Sequence, residues 1–289
     1  MKSFGWIFRD LRLERGYNLK EVADGIVTIS FLSKFERGDS DISLSNFYAL
    51  LEKLNITLSE FTLITNDYTS TYFENLIEQI KVAYENNNTS YLQNIADIEQ
   101  ANWKNRNLKI HRCNEIMTKA LLYNLDKQKS LSDEEIQFLC EYLLTIENWS
   151  IYELALFGNS LSSLKVETVV TLSKELINRG QLFIKLKKNK IELIRILLNT
   201  VVICLENHNI SSALYFLTVL DSLLNNTDFY FEKTKFLFLK GLYKIKIGEL
   251  DKGTVLANKA LFLMEELDSA IFVNTHKNYL DNFLKNQNN

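Results

Sequence analysis

The sequence predicts an all-α protein, and three observations lead to this fold class. The chain of 289 residues contains no proline and only nine glycines. Proline interrupts helix interiors and otherwise makes up about 5% of residues, so its absence favours helices throughout. Apolar residues recur with the helical period, and no segment alternates as a strand does. At roughly 100 to 200 residues per domain, the length fits two domains.

The first domain, residues 1–65, is predicted to contain five short helices. The apolar spacing of the first helix is given by Phe4, Ile7, Phe8 and Leu11. Two short helices follow within residues 21–38. The fourth begins after Ser43 as its N-cap, stops at Asn55, and has the apolar face Leu44, Phe47, Leu50, Leu51 and Leu54. The fifth lies near Leu58–Ile64.

The segment Glu21–Gly38 is the most informative part of this domain. Two short helices fit around a tight polar turn, because Ala23 is small enough for the helices to approach closely. Thr28 can cap the second helix, and Gly38 can end it. This pattern predicts a helix-turn-helix, a unit that places its second helix on DNA.

The same residues resemble the phage-repressor-type helix-turn-helix of many bacterial regulators. The resemblance is carried by Phe35-Glu36-Arg37-Gly38, with Leu19, Val22, Ala23, Ser30, Leu32 and Ser33 upstream. It implies that a recognition helix, Ile29–Arg37, lies in the major groove of a double-stranded DNA operator. It also implies a buried ion pair between Arg12 and Glu36 that joins the first helix to the recognition helix.

The resemblance assigns DNA-binding roles to Thr28 and Arg37 near phosphates and to Ile29, Ser30 and Lys34 at base edges, with Phe31 close by. We add Arg9 and Arg15 of the first helix to these candidates. Lys34 can donate to O6 and N7 of guanine, and Ser30 can pair with several bases. Phe31 is equally well explained as a core residue, because it precedes Phe35 by one helical turn.

Charge limits how this domain can bind DNA. Residues 1–65 contain eight Lys or Arg and nine Asp or Glu. DNA-binding domains usually carry a basic excess that neutralises phosphates. Binding must therefore depend on locally placed cations, on helix N-termini directed at phosphates, and on a dimer that doubles each contact.

Other classes of protein are not indicated. Every apolar run is shorter than the roughly 20 uncharged residues of a membrane helix, and the N-terminus lacks a secretory pattern, so we expect a cytoplasmic protein. Cys113, Cys140 and Cys204 lie far apart, and the three histidines lack metal-ligand spacing. With no phosphate-binding loop or nucleophile motif, we expect no enzyme, cofactor or metal.

The second domain, residues 66–289, is predicted to be a stack of paired helices. We place helices near residues 70–84, 90–103, 107–125, 133–147, 151–161, 164–178, 190–206, 210–224, 229–247, 250–267 and 270–284. Gly241, Gly248, Gly253, Ala257 and Ala260 match the small-residue spacing of a tetratricopeptide repeat, except that Gly253 replaces the usual alanine. The prediction is a right-handed superhelical stack of degenerate tetratricopeptide-like pairs, whose concave face binds peptides or proteins.

The whole chain resembles the Rgg/GadR/MutR regulators of low-GC Gram-positive bacteria. Its strongest matching segments are 33–43, 54–61 and 149–159. The resemblance implies a homodimeric cytoplasmic transcription factor whose helical domain binds a short signalling peptide. Some members join their DNA-binding domains through a cysteine where this chain has Leu44, so its dimer must be held by apolar packing.

The candidate peptide-binding residues are Asn199, Arg195, Trp149, Tyr152, Tyr230 and Lys233. Asn199 interrupts an apolar helix, where its amide either holds a peptide backbone or joins two helices. Arg195 can grip a carboxylate, or is solvated. The aromatic residues either line a pocket or pack in the core. Two further functions fit the sequence: a constitutive DNA-binding regulator with a dimerisation-only tail, and a tetratricopeptide-like scaffold that docks a protein.

Overall fold

The computed structural model describes residues 3–65, 71–127, 130–267 and 270–285. All regular secondary structure in these residues is helical, which confirms the all-α prediction. The chain divides into two compact units, residues 1–81 and 82–289. The predicted domain boundary at 65/66 adjoins residues 66–70, which lie outside the described residues.

The first unit begins with five helices, in agreement with the predicted helix-turn-helix domain. They are α1 (Phe4–Glu14), α2 (Leu19–Ala23), α3 (Ile29–Arg37), α4 (Leu44–Lys53) and α5 (Leu58–Thr65). Polar side chains cap them locally: Thr28 Oγ1 accepts a hydrogen bond from the Phe31 N–H at 3.2 Å. At the other end of α3, Gly38 adopts φ +80°, a conformation that side chains disfavour.

Phe8 is fully buried at the centre of this unit. Its ring contacts those of Phe35 from α3 and Phe47 from α4, with centroids about 6 Å apart. The helices approach closely because Gly5 has no side chain: a Cβ there would lie 1.8 Å from the carbonyl oxygen of Phe35. The apolar core therefore fixes α3 against α1 and α4.

Helix α6 (Tyr72–Glu85) contains the division between the units. The second unit continues with α7 (Thr89–Arg106), α8 (Lys109–Leu125), α9 (Asp133–Thr145), α10 (Ile151–Ser160), α11 (Val166–Arg179), α12 (Lys187–Glu206), α13 (Ile210–Leu224), α14 (Tyr230–Lys246), α15 (Leu250–Glu266) and α16 (Ala270–Lys285). A 3₁₀ turn, Leu161–Ser163, follows α10. No described helix is long and apolar enough to cross a membrane.

Helices of the second unit pack in two ways: each of several helices packs against a partner to form a pair, and one helix of each pair contacts the next to form a row. Helix α8 contacts α10, α10 contacts α12, and α12 contacts α14, while α7, α13 and α15 pair with α8, α12 and α14 respectively. We call α8, α10, α12 and α14 the inner row. The pair α14/α15 is the closest to a tetratricopeptide unit, because a Cβ on Gly253 would lie 2.6 Å from the Gly241 carbonyl oxygen. Small residues at these positions let the two backbones meet.

Candidate functional site

Helix α3 has one packed face and one exposed face. Leu32 and Phe35 are buried in the core, whereas Ser30 and Lys34 are exposed and Ile29 keeps 47% of its surface. The exposed residues are the base-edge candidates. Phe31 is partly buried, so it retains both the core and the DNA-facing interpretation.

The phosphate candidates lie around the ends of this helix. Thr28 is exposed at the N-cap, where its hydroxyl is held by the backbone of α3. Arg37, in the last turn, donates from Nε to Asp39 Oδ2 and from NH1 to Ser33 Oγ, both at 2.7 Å. These contacts hold an exposed guanidinium in one orientation. Arg9 is exposed on α1 and Arg15 is exposed at the C-cap of that helix, both outside the core.

Arg12 and Glu36 form a bidentate pair between α1 and α3. Arg12 Nε lies 2.6 Å from Glu36 Oε1, and NH2 lies 2.7 Å from Oε2. A third donor, NH1, reaches the Tyr17 carbonyl oxygen at 2.6 Å. The side chains are only 6% and 4% exposed. Because both ions are buried and mutually satisfied, the pair fixes α3 on α1 and is not available to DNA.

In the second unit, Arg195 and Asn199 lie one turn apart on exposed positions of α12. Arg195 Nε donates to Glu232 Oε1 of α14 at 2.9 Å, and its guanidinium lies 5.8 Å from the centre of the Phe231 ring. Asn199 Oδ1 accepts a hydrogen bond from Lys235 Nζ at 2.9 Å. Two helices of the inner row therefore present cations, an amide and an aromatic ring together.

Tyr152 belongs to a polar network in the same row. Its hydroxyl donates to Asn114 Oδ1 at 3.0 Å, and Asn114 Nδ2 donates to Glu99 Oε2 at 2.7 Å. Burial raises the pKa of the Tyr152 hydroxyl well above its usual value and that of the neighbouring Cys113 thiol to about 12. Both groups are therefore neutral at pH 7, and Tyr152 contributes a hydrogen-bonding edge.

The structure corrects the peptide-binding role expected for Trp149. Its side chain is fully buried, its Nε1–H donates to the Leu143 carbonyl oxygen at 3.1 Å, and its ring packs edge-on against Phe157. The packing alternative explains these contacts. By contrast, Tyr230 is 69% exposed, and Lys233 Nζ donates to the Thr227 carbonyl oxygen at 2.6 Å, which anchors it to the loop before α14.

Sequence reasoning missed Lys235 and Glu232, which contact Asn199 and Arg195. In the sequence, a glutamate three residues before a lysine on one helix is an ordinary surface pattern and gave no signal of this site. Their partners lie 36 and 37 residues earlier in the chain, so only the packing of α12 on α14 reveals them. No group of three His, Cys, Asp or Glu side chains among the described residues is arranged to hold a metal.

Comparisons with known proteins give matches to both units. The family model for the C-terminal domain of the HTH-type transcriptional regulator Rgg matches residues 98–278. A helix-turn-helix family model matches residues 8–61. A cysteine-to-serine variant of the SHP pheromone receptor Rgg2 from Streptococcus dysgalactiae is similar at 28% identity, with 97% of this chain and 99% of that chain covered and a TM-score of 0.84. The PrgX/cCF10 complex has the same fold at 15% identity, 99% and 93% coverage and a TM-score of 0.75.

Proposed function

The chain belongs to the Rgg family of helix-turn-helix transcriptional regulators, and on that premise we propose that a short signalling peptide, bound to its second unit, controls how it regulates transcription at a DNA operator. The observation that carries this proposal is the pairing of an exposed polar face on α3 with a helical unit matching the Rgg C-terminal domain. The relative at 28% identity is a pheromone receptor, which supports the peptide as controlling ligand.

On the DNA side, α3 is the recognition helix. Lys34 and Ser30 lie on its exposed face and supply hydrogen bonds to base edges in the major groove. The oriented guanidinium of Arg37 and the N-cap at Thr28 contact phosphates, as do Arg9 and Arg15. Ile29 contacts thymine methyl groups. These contacts compensate for the lack of a general basic excess in residues 1–65.

The protein binds its operator as a homodimer in the cytoplasm. Leu44 and Tyr48 lie one turn apart on α4 and are 66% and 47% exposed. An apolar pair of this kind on the surface is suited to pack against its copy in a second chain, with no disulfide needed. Two recognition helices then read half-sites about one helical turn of DNA apart.

On the peptide side, the inner row forms the binding surface. Arg195, Asn199 and Tyr152 present donors and acceptors along it, and Tyr230 and Lys233 lie near its α14 end. Helical repeats bind extended peptides on such surfaces, with amides pairing to the backbone. A peptide on this surface contacts several helices at once. It therefore binds most tightly to the arrangement of the unit that presents all of these contacts, and it favours that arrangement over others.

The variant Lys34→Ala, and the double variant with Ser30→Ala, test this function against the scaffold alternative. We expect Lys34→Ala to weaken operator binding by about 1 to 3 kcal/mol, and the double variant to abolish specific binding. Lys53→Ala removes the same charge from an exposed site on α4 and is the control. Fluorescence anisotropy with operator and scrambled DNA is the measurement. Unchanged operator affinity in the double variant would favour the scaffold.

A further inference from the structure

Lys235 is a cation without an acidic partner in the inner row. Its Nζ donates to the neutral amide oxygen of Asn199 at 2.9 Å. No carboxylate of the described residues lies within 4.0 Å of it. Burial lowers the pKa of Lys235, and the charge of Arg195 lowers it further, against the opposing effect of Glu232. The ammonium is thus partly desolvated while only an amide compensates its charge.

The nearby carboxylates are already engaged with a different cation. Glu232, only 5% exposed, accepts from Arg195 Nε at 2.9 Å, and Glu192 accepts from NH1 at 3.2 Å. Both carboxylates therefore bind the guanidinium of Arg195, and the ammonium of Lys235 contacts the Asn199 amide instead. A partly desolvated ammonium gains more from an anion than from an amide, because the anion adds the attraction of a full opposite charge, which is strong where water is partly excluded.

We infer that Lys235 and Asn199 bind the C-terminal carboxylate of the peptide, with Arg195 as a neighbouring cation. The inference rests on the proposed peptide site and adds the chemistry of one end of the ligand. Lys235 donates to the carboxylate, and the Asn199 amide donates to its second oxygen through Nδ2. Phe231, which is 44% exposed, provides an apolar surface beside the cluster for the last side chain of the peptide.

The bound carboxylate could belong to the C-terminus of a peptide or to an acidic side chain. Both carry the same charge, but only the terminal carboxylate is bonded to the Cα that carries the last side chain of the peptide. Minimal probes separate these sources: N-acetyl-L-leucine carries the terminal carboxylate, N-acetyl-L-leucinamide lacks it, and N-acetyl-L-glutamic acid α-amide carries only the side-chain carboxylate. The full chain, produced with lysine labelled with ¹³C at Cε, keeps all three ammonium donors and reports each binding event by NMR. The Lys235 signal is assigned as the one lost in Lys235→Arg.

We expect N-acetyl-L-leucine to shift the Lys235 signal and to raise the pKa read from it, because the bound anion favours the charged ammonium. The leucinamide should leave both unchanged, and the glutamic acid amide should bind more weakly. Asn199→Ala should weaken the acid about tenfold, the loss of one charged hydrogen bond. Lys240→Arg, whose cation on α14 lies 3.5 Å from Asp221 Oδ1, is the matched control and should respond as the parent does.

Asn199→Asp is the second variant, because it places a carboxylate at the Asn199 contact of Lys235. It should raise the pKa of Lys235 and abolish the response to N-acetyl-L-leucine. Equal responses to acid and amide, or no response of Lys235 to the acid, would overturn the inference. Operator binding that depends on Lys34 is measured separately. An unchanged Lys235 signal together with intact operator binding would refute the carboxylate site alone. Loss of the operator result would instead refute the proposed function.

Discussion

Glu36→Ala is expected to loosen the recognition helix from its domain. The substitution leaves the guanidinium of Arg12, which is 6% exposed, with a single described acceptor, the Tyr17 carbonyl oxygen. Breaking a buried pair by removing one partner costs about 3 to 5 kcal/mol, because a buried charge loses its compensation. Against a total stability of about 5 to 15 kcal/mol for a domain, this is a large fraction.

Hydrogen exchange measured by mass spectrometry is the assay, because it reports each unit separately. We expect protection of amides in α1 and α3 to fall roughly 150- to 5,000-fold, the equivalent of 3 to 5 kcal/mol. Amides of α12, in the second unit, should be unaffected. Glu14→Ala, which removes an exposed carboxylate of α1, is the matched control and should change protection little.

A double variant, Arg12→Met with Glu36→Leu, separates the loss of compensation from the loss of the pair itself. Apolar residues of similar volume often replace a buried pair at little cost, so we expect most of the protection to return. A fall of less than tenfold in Glu36→Ala would refute the reasoning. So would a double variant as unprotected as the single one, since packing and not an uncompensated charge would then be responsible.

Three further predictions follow from single contacts. Gly5→Ala should lower the midpoint of thermal unfolding strongly, because the new Cβ would overlap the Phe35 carbonyl oxygen; an unchanged midpoint would contradict the close approach of α1 and α3. Leu44→Asp should convert dimers to monomers in sedimentation velocity, and a persistent dimer would place the interface elsewhere. Burial raises the pKa of the Glu135 carboxyl, but hydrogen bonds from Lys119 and a backbone N–H outweigh burial and lower the pKa below 4.5. The ionised carboxylate therefore stabilises the fold above pH 4.5, and this contribution is lost as the pH falls through the pKa of the folded state. Glu135→Gln should therefore flatten the acid limb of urea midpoints against pH, and an unchanged limb would exclude this carboxyl as its cause.

The sequence was sufficient where local chemistry decides the structure. Thr28 and Gly38 delimit α3 by a side-chain cap and a left-handed residue, and both signals act within a few residues of the chain. The absence of proline and the helical period predicted the helical fold for the same reason. The gap between the helices predicted at 210–224 and 229–247 was equally legible, since Asn226 adopts a positive φ there, whereas Asn107, predicted to begin a helix, ends the preceding one with a positive φ.

The sequence was insufficient where distant helices decide the site. Asn199 was identified as unusual, but its contact with Lys235 requires α12 to pack on α14. For Trp149 the sequence left peptide contact and core packing open, because an aromatic residue before a helix has the same local pattern whether it faces the core or a groove. Its burial depends on Phe157 and on the Leu143 carbonyl, which only tertiary packing brings together.

The central claim is that a peptide bound to the second unit controls DNA binding by the first. Its most direct test is a fluorescence-anisotropy titration of the full protein against the intergenic DNA beside its own gene, at several salt concentrations, with scrambled DNA as control and synthetic peptides added to the same sample. We expect tight, salt-dependent binding that scrambled DNA does not match and that a peptide with a free C-terminus changes. Equal weak binding to both DNAs, with and without peptides, would contradict the account.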